Sequence, residues 1–131
     1  MHFNYIKLKI NAKMGSVYLL GDREKEGKYK IGCTRGSVEN RIKKLQTGNS
    51  GEIYIVESFC TEYPFLVEKM LHTVYSNKNV LNEWYELDEN DVKMFEDNFK
   101  KAEKNINALK DNYFFKKKYN TNNYKKDYFY D

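Results

Sequence analysis

Long apolar runs, cysteine, proline and arginine are all scarce in this chain, and each scarcity narrows what it does. No stretch approaches the roughly 18 apolar residues that a membrane helix needs, so no membrane partner is expected. The one apolar run near the start is interrupted by Lys7 and Lys9. That is not the layout of a signal peptide, and the chain reads as intracellular. The two cysteines, Cys33 and Cys60, are too few for a disulfide scaffold and have no paired metal-ligand spacing, so both are expected as buried thiols. The single proline, Pro64, suits the first turn of a helix, where its missing N–H costs nothing. Arginine occurs only at Arg23, Arg35 and Arg41, so the net charge of +4 is nearly all lysine. A mild basic bias permits a nucleic-acid partner without requiring one. Abundant Lys, Asn, Tyr and Ile also fit an AT-rich coding sequence, so position carries more meaning than composition.

What is present is enough for one folded domain. At 131 residues, with 40% hydrophobic and 32% charged residues, the chain can bury a core. Ile6, Leu8 and Ile10 alternate with lysines, which predicts a half-buried strand in residues 1–10. Residues 16–21 and 29–34 are β-branched and aromatic runs around a charged, glycine-containing connection, the pattern of a hairpin. Tyr18 and Lys30 then share one face, with Val17, Leu19 and Ile31 on the other.

Ser37 can cap a helix in which Val38, Ile42 and Leu45 form one stripe, leaving Arg41, Lys43 and Lys44 elsewhere on its circumference. Residues 47–51 form a turn, and residues 52–60 alternate as a third strand. Thr61 can cap a second helix, with Val67, Met70, Leu71 and Val74 buried. Glu68, His72 and Tyr75 lie on a different stripe at helical spacing, where they can line one site. Residues 77–82 read as a polar loop and 83–87 as a short aromatic strand.

Asp88 or Asn90 begins a last helix with a seam of Val92, Phe95, Phe99, Ala102, Ile106, Leu109 and Tyr113. This seam suits either a coiled coil or packing along the domain. From Tyr113 onward Lys, Asn and aromatics mix without period, and residues 120–123 are not expected to form regular structure. The organisation is a strand extension (1–15), a body (16–87), a C-terminal helix (88–115) and a Lys/Tyr-rich tail (116–131). The class is α+β, with a small antiparallel sheet of about three strands flanked by helices.

These residues, in this order, resemble the GIY-YIG nuclease superfamily, and its viral and phage branch in particular. Val17-Tyr18-Leu19 stands for the first motif, Lys30-Ile31-Gly32 for the second, and Arg41 for the helix arginine. Leu45-Gln46-Thr47-Gly48-Asn49, the segment from Glu68 to His72, and Glu83-Trp84-Tyr85 continue the likeness. The resemblance implies a metal-dependent endonuclease acting on DNA, in the cytoplasm of a cell or an infected host. In that family the first-motif tyrosine assists deprotonation of water, the arginine holds phosphate, and the helix glutamate binds Mg²⁺ or Mn²⁺. Carried over, those positions are Tyr18, Arg41 and Glu68. Three positions depart from the pattern: Lys30 stands where a tyrosine is expected, with Tyr29 one residue early, Ser16 replaces a glycine, and Leu45 replaces a histidine.

The chemistry suits these side chains. A free phenol has a pKa near ~10, so Tyr18 needs a neighbouring cation to act as a base at neutral pH, and Lys30 on the same face is the expected one. The Arg41 fork matches two phosphate oxygens. Glu68 supplies one hard oxygen, a thin site that should bind a metal weakly without DNA. His72 is a second base or an orienting partner for Glu68, and Arg35, Lys43 and Lys44 are candidate nucleic-acid contacts.

Each assignment has a structural rival. Tyr18 fits the sheet by propensity alone, Arg41 a solvated helix face, Glu68 a surface ion pair, and His72 a partly buried structural position. Glu83 is an ordinary hairpin residue unless it joins the site, and Trp84 is packing. Two other function classes remain open. The cation-and-aromatic tail could make an inactive nucleic-acid-binding module, and the seam could make a homodimeric interaction scaffold, the alternative state being a monomer.

Overall fold

The computed structural model describes residues 14–119. The expected strand in residues 1–10 and the tail beyond residue 119 lie outside the described residues. Strands β1 (Gly15–Asp22) and β2 (Lys28–Thr34) form the expected antiparallel hairpin, pairing Val17 with Cys33, Tyr18 with Gly32 and Leu19 with Ile31. Strand β3 (Ile53–Thr61) pairs antiparallel with the other edge of β1, with an irregularity between Leu19 and Leu20. Two short strands that close a hairpin of their own, β4 (Asn79–Leu81) and β5 (Trp84–Glu86), extend the sheet beyond β2.

The sheet therefore has five strands in the order β3-β1-β2-β5-β4, two more than expected. One of the two, β5, is the short aromatic strand expected in residues 83–87, and the other comes from the segment read as a polar loop. Its Ser76–Lys78 portion is a 3₁₀ turn, and residues 79–81 are β4. Asn82 turns the chain back with φ of 53°, a conformation that asparagine tolerates better than most residues. Asn79 Nδ2 braces this turn by donating to the carbonyls of Asn82 (2.7 Å) and Trp84 (3.1 Å).

Alternation along β1 divides the interior into two layers. Tyr18 and Leu20 face helix α1 (Val38–Gln46), where they meet Val38 and Ile53, with Ile42 and Leu45 packed alongside. Ser37 caps this helix as expected, its hydroxyl accepting from the Asn40 N–H at 3.0 Å. Val17, Leu19 and Ile31 face the opposite layer, which holds Leu66, Val67 and Leu71 of α2 (Pro64–Val74) and Phe95, Phe99, Ala102 and Ile106 of α4 (Phe95–Leu109).

Several local expectations change on α2. Pro64 does open the helix, but Thr61 does not cap it: its hydroxyl accepts from the Tyr63 N–H one turn too early. Val74 is 52% exposed while Tyr75 is buried, because the helix ends and the chain turns between them. Tyr75 therefore belongs to the core, its hydroxyl donating to the Asp91 carbonyl, and not to the Glu68–His72 stripe. Cys33 is buried as expected, but Cys60, on the edge strand β3, is exposed.

The expected single last helix is three: α3 (Glu89–Lys93), α4 and α5 (Tyr113–Tyr119). Asp88 opens α3 with a reciprocal capping box to Asp91, and the helix is interrupted at Met94. Helix α5 begins where the Asn112 side chain accepts from the N–H groups of Phe114 and Phe115. Phe95, Phe99, Ala102 and Ile106 of the seam are buried within the chain, whereas Leu109 and Tyr113 are exposed.

The Gln46–Asn49 segment fastens the hairpin to β3. Gln46 Nε2 donates to the carbonyls of Asn49 and Gly51, and its Oε1 accepts from the Ile53 N–H at 2.8 Å. Asn49 Nδ2 donates to Oδ2 of the buried Asp22 at 2.7 Å, and Asp22 Oδ1 accepts from the Glu24 N–H at 2.9 Å. Burial would raise the Asp22 carboxyl, but these hydrogen bonds and the Lys25 charge outweigh it and hold the group below its ordinary 3.8. A depressed carboxyl pKa stabilises the fold above the unfolded value, and that contribution is lost as pH falls through the folded value. Asp22→Ala is accordingly expected to unfold more easily than wild type at pH 7, by about 1–3 kcal/mol. Urea titrations at falling pH should show the difference narrowing below pH 3.8.

Candidate active site

Tyr18 reaches its position because Gly32 has no side chain. The two residues are directly paired, and a Cβ built on Gly32 would lie 2.6 Å from the Tyr18 hydroxyl and 2.7–2.8 Å from its ring. The glycine of the Lys-Ile-Gly segment thus makes room for the phenol to lie flat across β2, 1% exposed. From α1, the Arg41 guanidinium donates a hydrogen bond to the Tyr18 hydroxyl.

Strand β5 is shorter than β2. Pairing along β2 on that side covers Lys28, Tyr29 and Lys30, with one further bond from the Ile31 N–H to the Glu83 carbonyl. Beyond that point the outer edge of β2 carries no β5 residue. Glu83, at the start of β5, and Glu68, from the α2 layer, lie close enough for their charges to act on the Tyr18 phenol.

Glu68, His72 and Glu83 each offer one ligand atom, and these atoms lie within 4.8 Å of one another. His72 Nε2 is 3.1 Å from Glu68 Oε1, the neighbouring-turn contact expected from their spacing. His72 Nδ1 is hydrogen-bonded to the hydroxyl of Tyr85, a buried residue of β5. Glu83 Oε2 is 3.3 Å from Lys30 Nζ, whose side chain is only 14% exposed and lies against the Trp84 ring. A cavity of about 170 Å³, lined by Phe65, Glu68, Lys69 and His72, adjoins the cluster. A set of two carboxylates and one imidazole fits a divalent cation in its donor chemistry.

Two expectations are corrected by this arrangement. Lys30 shares a face with Tyr18 but forms its ion pair with Glu83, and the cation that favours the phenolate is Arg41. Even so, the phenol is not made a stronger acid. Burial dominates and pushes the Tyr18 hydroxyl well above its ordinary value of 10.0, with Glu83 and Glu68 adding to the rise. Glu83, read as an ordinary hairpin residue unless it joined the site, lies in the cluster.

Tyr29 faces the other layer, paired with Tyr85. Arg35, Lys43 and Lys44 are exposed, with Lys43 and Lys44 in the last turn of α1. Tyr85 was not singled out from the sequence. Its one signal is alternation, which sends it to the face opposite Trp84.

Comparison with known proteins gives one family: the T5orf172 domain, matched over residues 15–100. No curated protein and no solved structure matches the chain.

The contact between Tyr18 and Gly32 is directly testable. Gly32→Ala should destabilise the protein by about 1–3 kcal/mol, because the added methyl meets a packed ring. Gly36→Ala, where the nearest atom to a Cβ is 3.7 Å away, should change stability by less than about 1 kcal/mol. Equal thermal shifts for the two variants would refute the close approach.

Proposed function

This chain belongs to the T5orf172 domain family, a phage-derived domain of nuclease-like fold, and we propose that it is a divalent-metal-dependent endonuclease hydrolysing phosphodiester bonds in DNA. Family membership is consistent with a nuclease-like or a nucleic-acid-binding role. The hydrolytic reading is supported by one observation: Glu68, His72 and Glu83 bring ligand atoms within 4.8 Å of one another, and the charges of Glu68 and Glu83 act on the Tyr18 phenol that Arg41 hydrogen-bonds. A binding module would need exposed cations and flat aromatic surfaces, not a buried phenol facing a cluster of metal-ligating groups.

Phosphodiester hydrolysis requires a positioned water, neutralisation of charge building on phosphorus, and release of an alkoxide. A divalent ion held by Glu68, with His72 and Glu83 beside it, would supply Lewis acidity at the phosphate and its nearby water. Arg41 offers paired N–H donors to phosphate oxygens, whose charge grows in the transition state. Tyr18 stays a phenol at neutral pH, so its role is to position the attacking water by a hydrogen bond and not to take its proton. Lys30 steadies Glu83 and adds positive charge where a phosphate would arrive. The basic residues Arg35, Lys43 and Lys44 would contact the backbone of the nucleic acid further out.

Purified protein with Mg²⁺ or Mn²⁺ should nick supercoiled plasmid, and a chelator should stop it. Arg41→Ala and Glu68→Ala should each reduce the rate ~100-fold or more, with circular dichroism unchanged. Binding without cleavage by the wild type, across DNA substrates and with both ions, would replace this reading with that of a nucleic-acid-binding module.

A further inference from the structure

We propose that Glu68, His72 and Glu83 form a nitrogen-containing three-ligand site that binds Mn²⁺ in preference to Mg²⁺, without any nucleic acid present. The catalytic meaning of this site rests on the endonuclease reading, while the ligand geometry stands by itself. A lone Glu68 would hold a hydrated ion weakly. Three donors from two elements, α2 and the start of β5, change that.

The spacing suits a shared ion. The 3.1 Å between His72 Nε2 and Glu68 Oε1 is the separation of adjacent ligands that each lie about 2.1 Å from one metal. The Glu83 oxygen lies within 4.8 Å of both atoms, so a small side-chain rotation brings it into the same shell. The helix fixes the first pair, since residues four apart stack on one face. The β4–β5 hairpin fixes the third, because Glu83 follows the constrained Asn82 turn.

Tyr85 gives the imidazole its orientation. Its hydroxyl oxygen meets His72 Nδ1. A hydroxyl both donates and accepts. Without metal it donates to Nδ1, leaving the Nε2 proton for Glu68. With metal the imidazole takes the other neutral tautomer, its Nδ1–H donating a hydrogen bond to the Tyr85 hydroxyl, and the Nε2 lone pair is free for the ion. Such partners of a metal-binding histidine set its tautomer and its basicity.

Ion preference follows from the donor types. Mg²⁺ keeps most of its waters and takes one or two carboxylates, while Mn²⁺ is a larger first-row dication that binds carboxylates as well and gives up water for an imidazole nitrogen more readily. Two carboxylates with one imidazole suit Mn²⁺ better than Mg²⁺. Lys30, paired with Glu83 Oε2, offsets part of the repulsion between the two glutamates when no ion is bound.

The test is metal binding by the full chain in the absence of DNA, read by calorimetry and by pulsed electron paramagnetic resonance of Mn²⁺. One Mn²⁺ per chain is expected, bound at least ~10-fold more tightly than Mg²⁺, with a nitrogen coupling from the imidazole. His72→Ala should abolish the coupling and lower Mn²⁺ affinity ~10–100-fold while changing Mg²⁺ affinity little. Tyr85→Phe, which keeps the ring and its packing, should weaken Mn²⁺ ~10-fold or more. Equal affinities for the two ions, or a nitrogen coupling that survives in His72→Ala, overturns the site. Plasmid nicking with equal Mg²⁺ and Mn²⁺ affinities would sink the site and leave the endonuclease standing. Mn²⁺ bound as described with no nicking would do the reverse.

Discussion

Strand β1 is buried on both of its faces, and the rest of the molecule follows from that constraint. Val17, Tyr18, Leu19 and Leu20 are all at or below 1% exposure, although they point alternately into two different layers. A slip of one residue would exchange Tyr18 for an aliphatic side chain in both layers at once, so the register with β2 is strongly fixed. That register places the phenol opposite the one residue of β2 that can receive it, Gly32. Packing, not any active-site interaction, therefore sets the position of the hydroxyl.

The polar groups then meet where the sheet is incomplete. Helices α1 and α2 lie on opposite faces, and a sheet of even width would keep Arg41 and Glu68 apart. Groups from both layers nonetheless act on the Tyr18 phenol, Arg41 on α1 and Glu68 on α2, together with Glu83. Two carboxylates, Glu68 and Glu83, gather beside two cations, Arg41 and Lys30, which keeps partly buried charges from standing alone. Lys30 and Glu83 illustrate the economy of the β2–β5 pairing: Lys30 lies opposite Trp84, one residue past Glu83, so the ammonium packs on the indole and still reaches the carboxylate.

Much of this was legible from the residues. The hairpin, the Ser37 cap, the α1 stripe and the third strand follow from alternation, capping chemistry and helical spacing, which are local signals. The Glu68–His72 contact was legible for the same reason. Contacts set by tertiary placement were not. Glu83 gains its neighbours only when β5 docks on β2, and no spacing rule relates it to Glu68 fifteen residues away. Sharing a face does not say which neighbour is nearer, so Lys30 pairs with Glu83, and at the Tyr18 phenol burial outweighs Arg41. Strand β4 hid inside a run of asparagines whose side chains brace a turn. Tyr113–Tyr119 lacks an apolar period, yet Asn112 caps it and Phe115 anchors it in the core.

The segment matched by the T5orf172 family ends at residue 100, a third of the way along α4 (Phe95–Leu109). Ala102 and Ile106 beyond that point, and Phe115 on α5, belong to the same buried cluster as Val17 and Leu19. The cooperative unit is thus longer than the segment that homology recognises. A boundary drawn at the edge of the family match would remove Ala102, Ile106 and Phe115 from the cluster on the inner face of β1, so an excision or fusion that keeps this cluster whole carries the chain through α5.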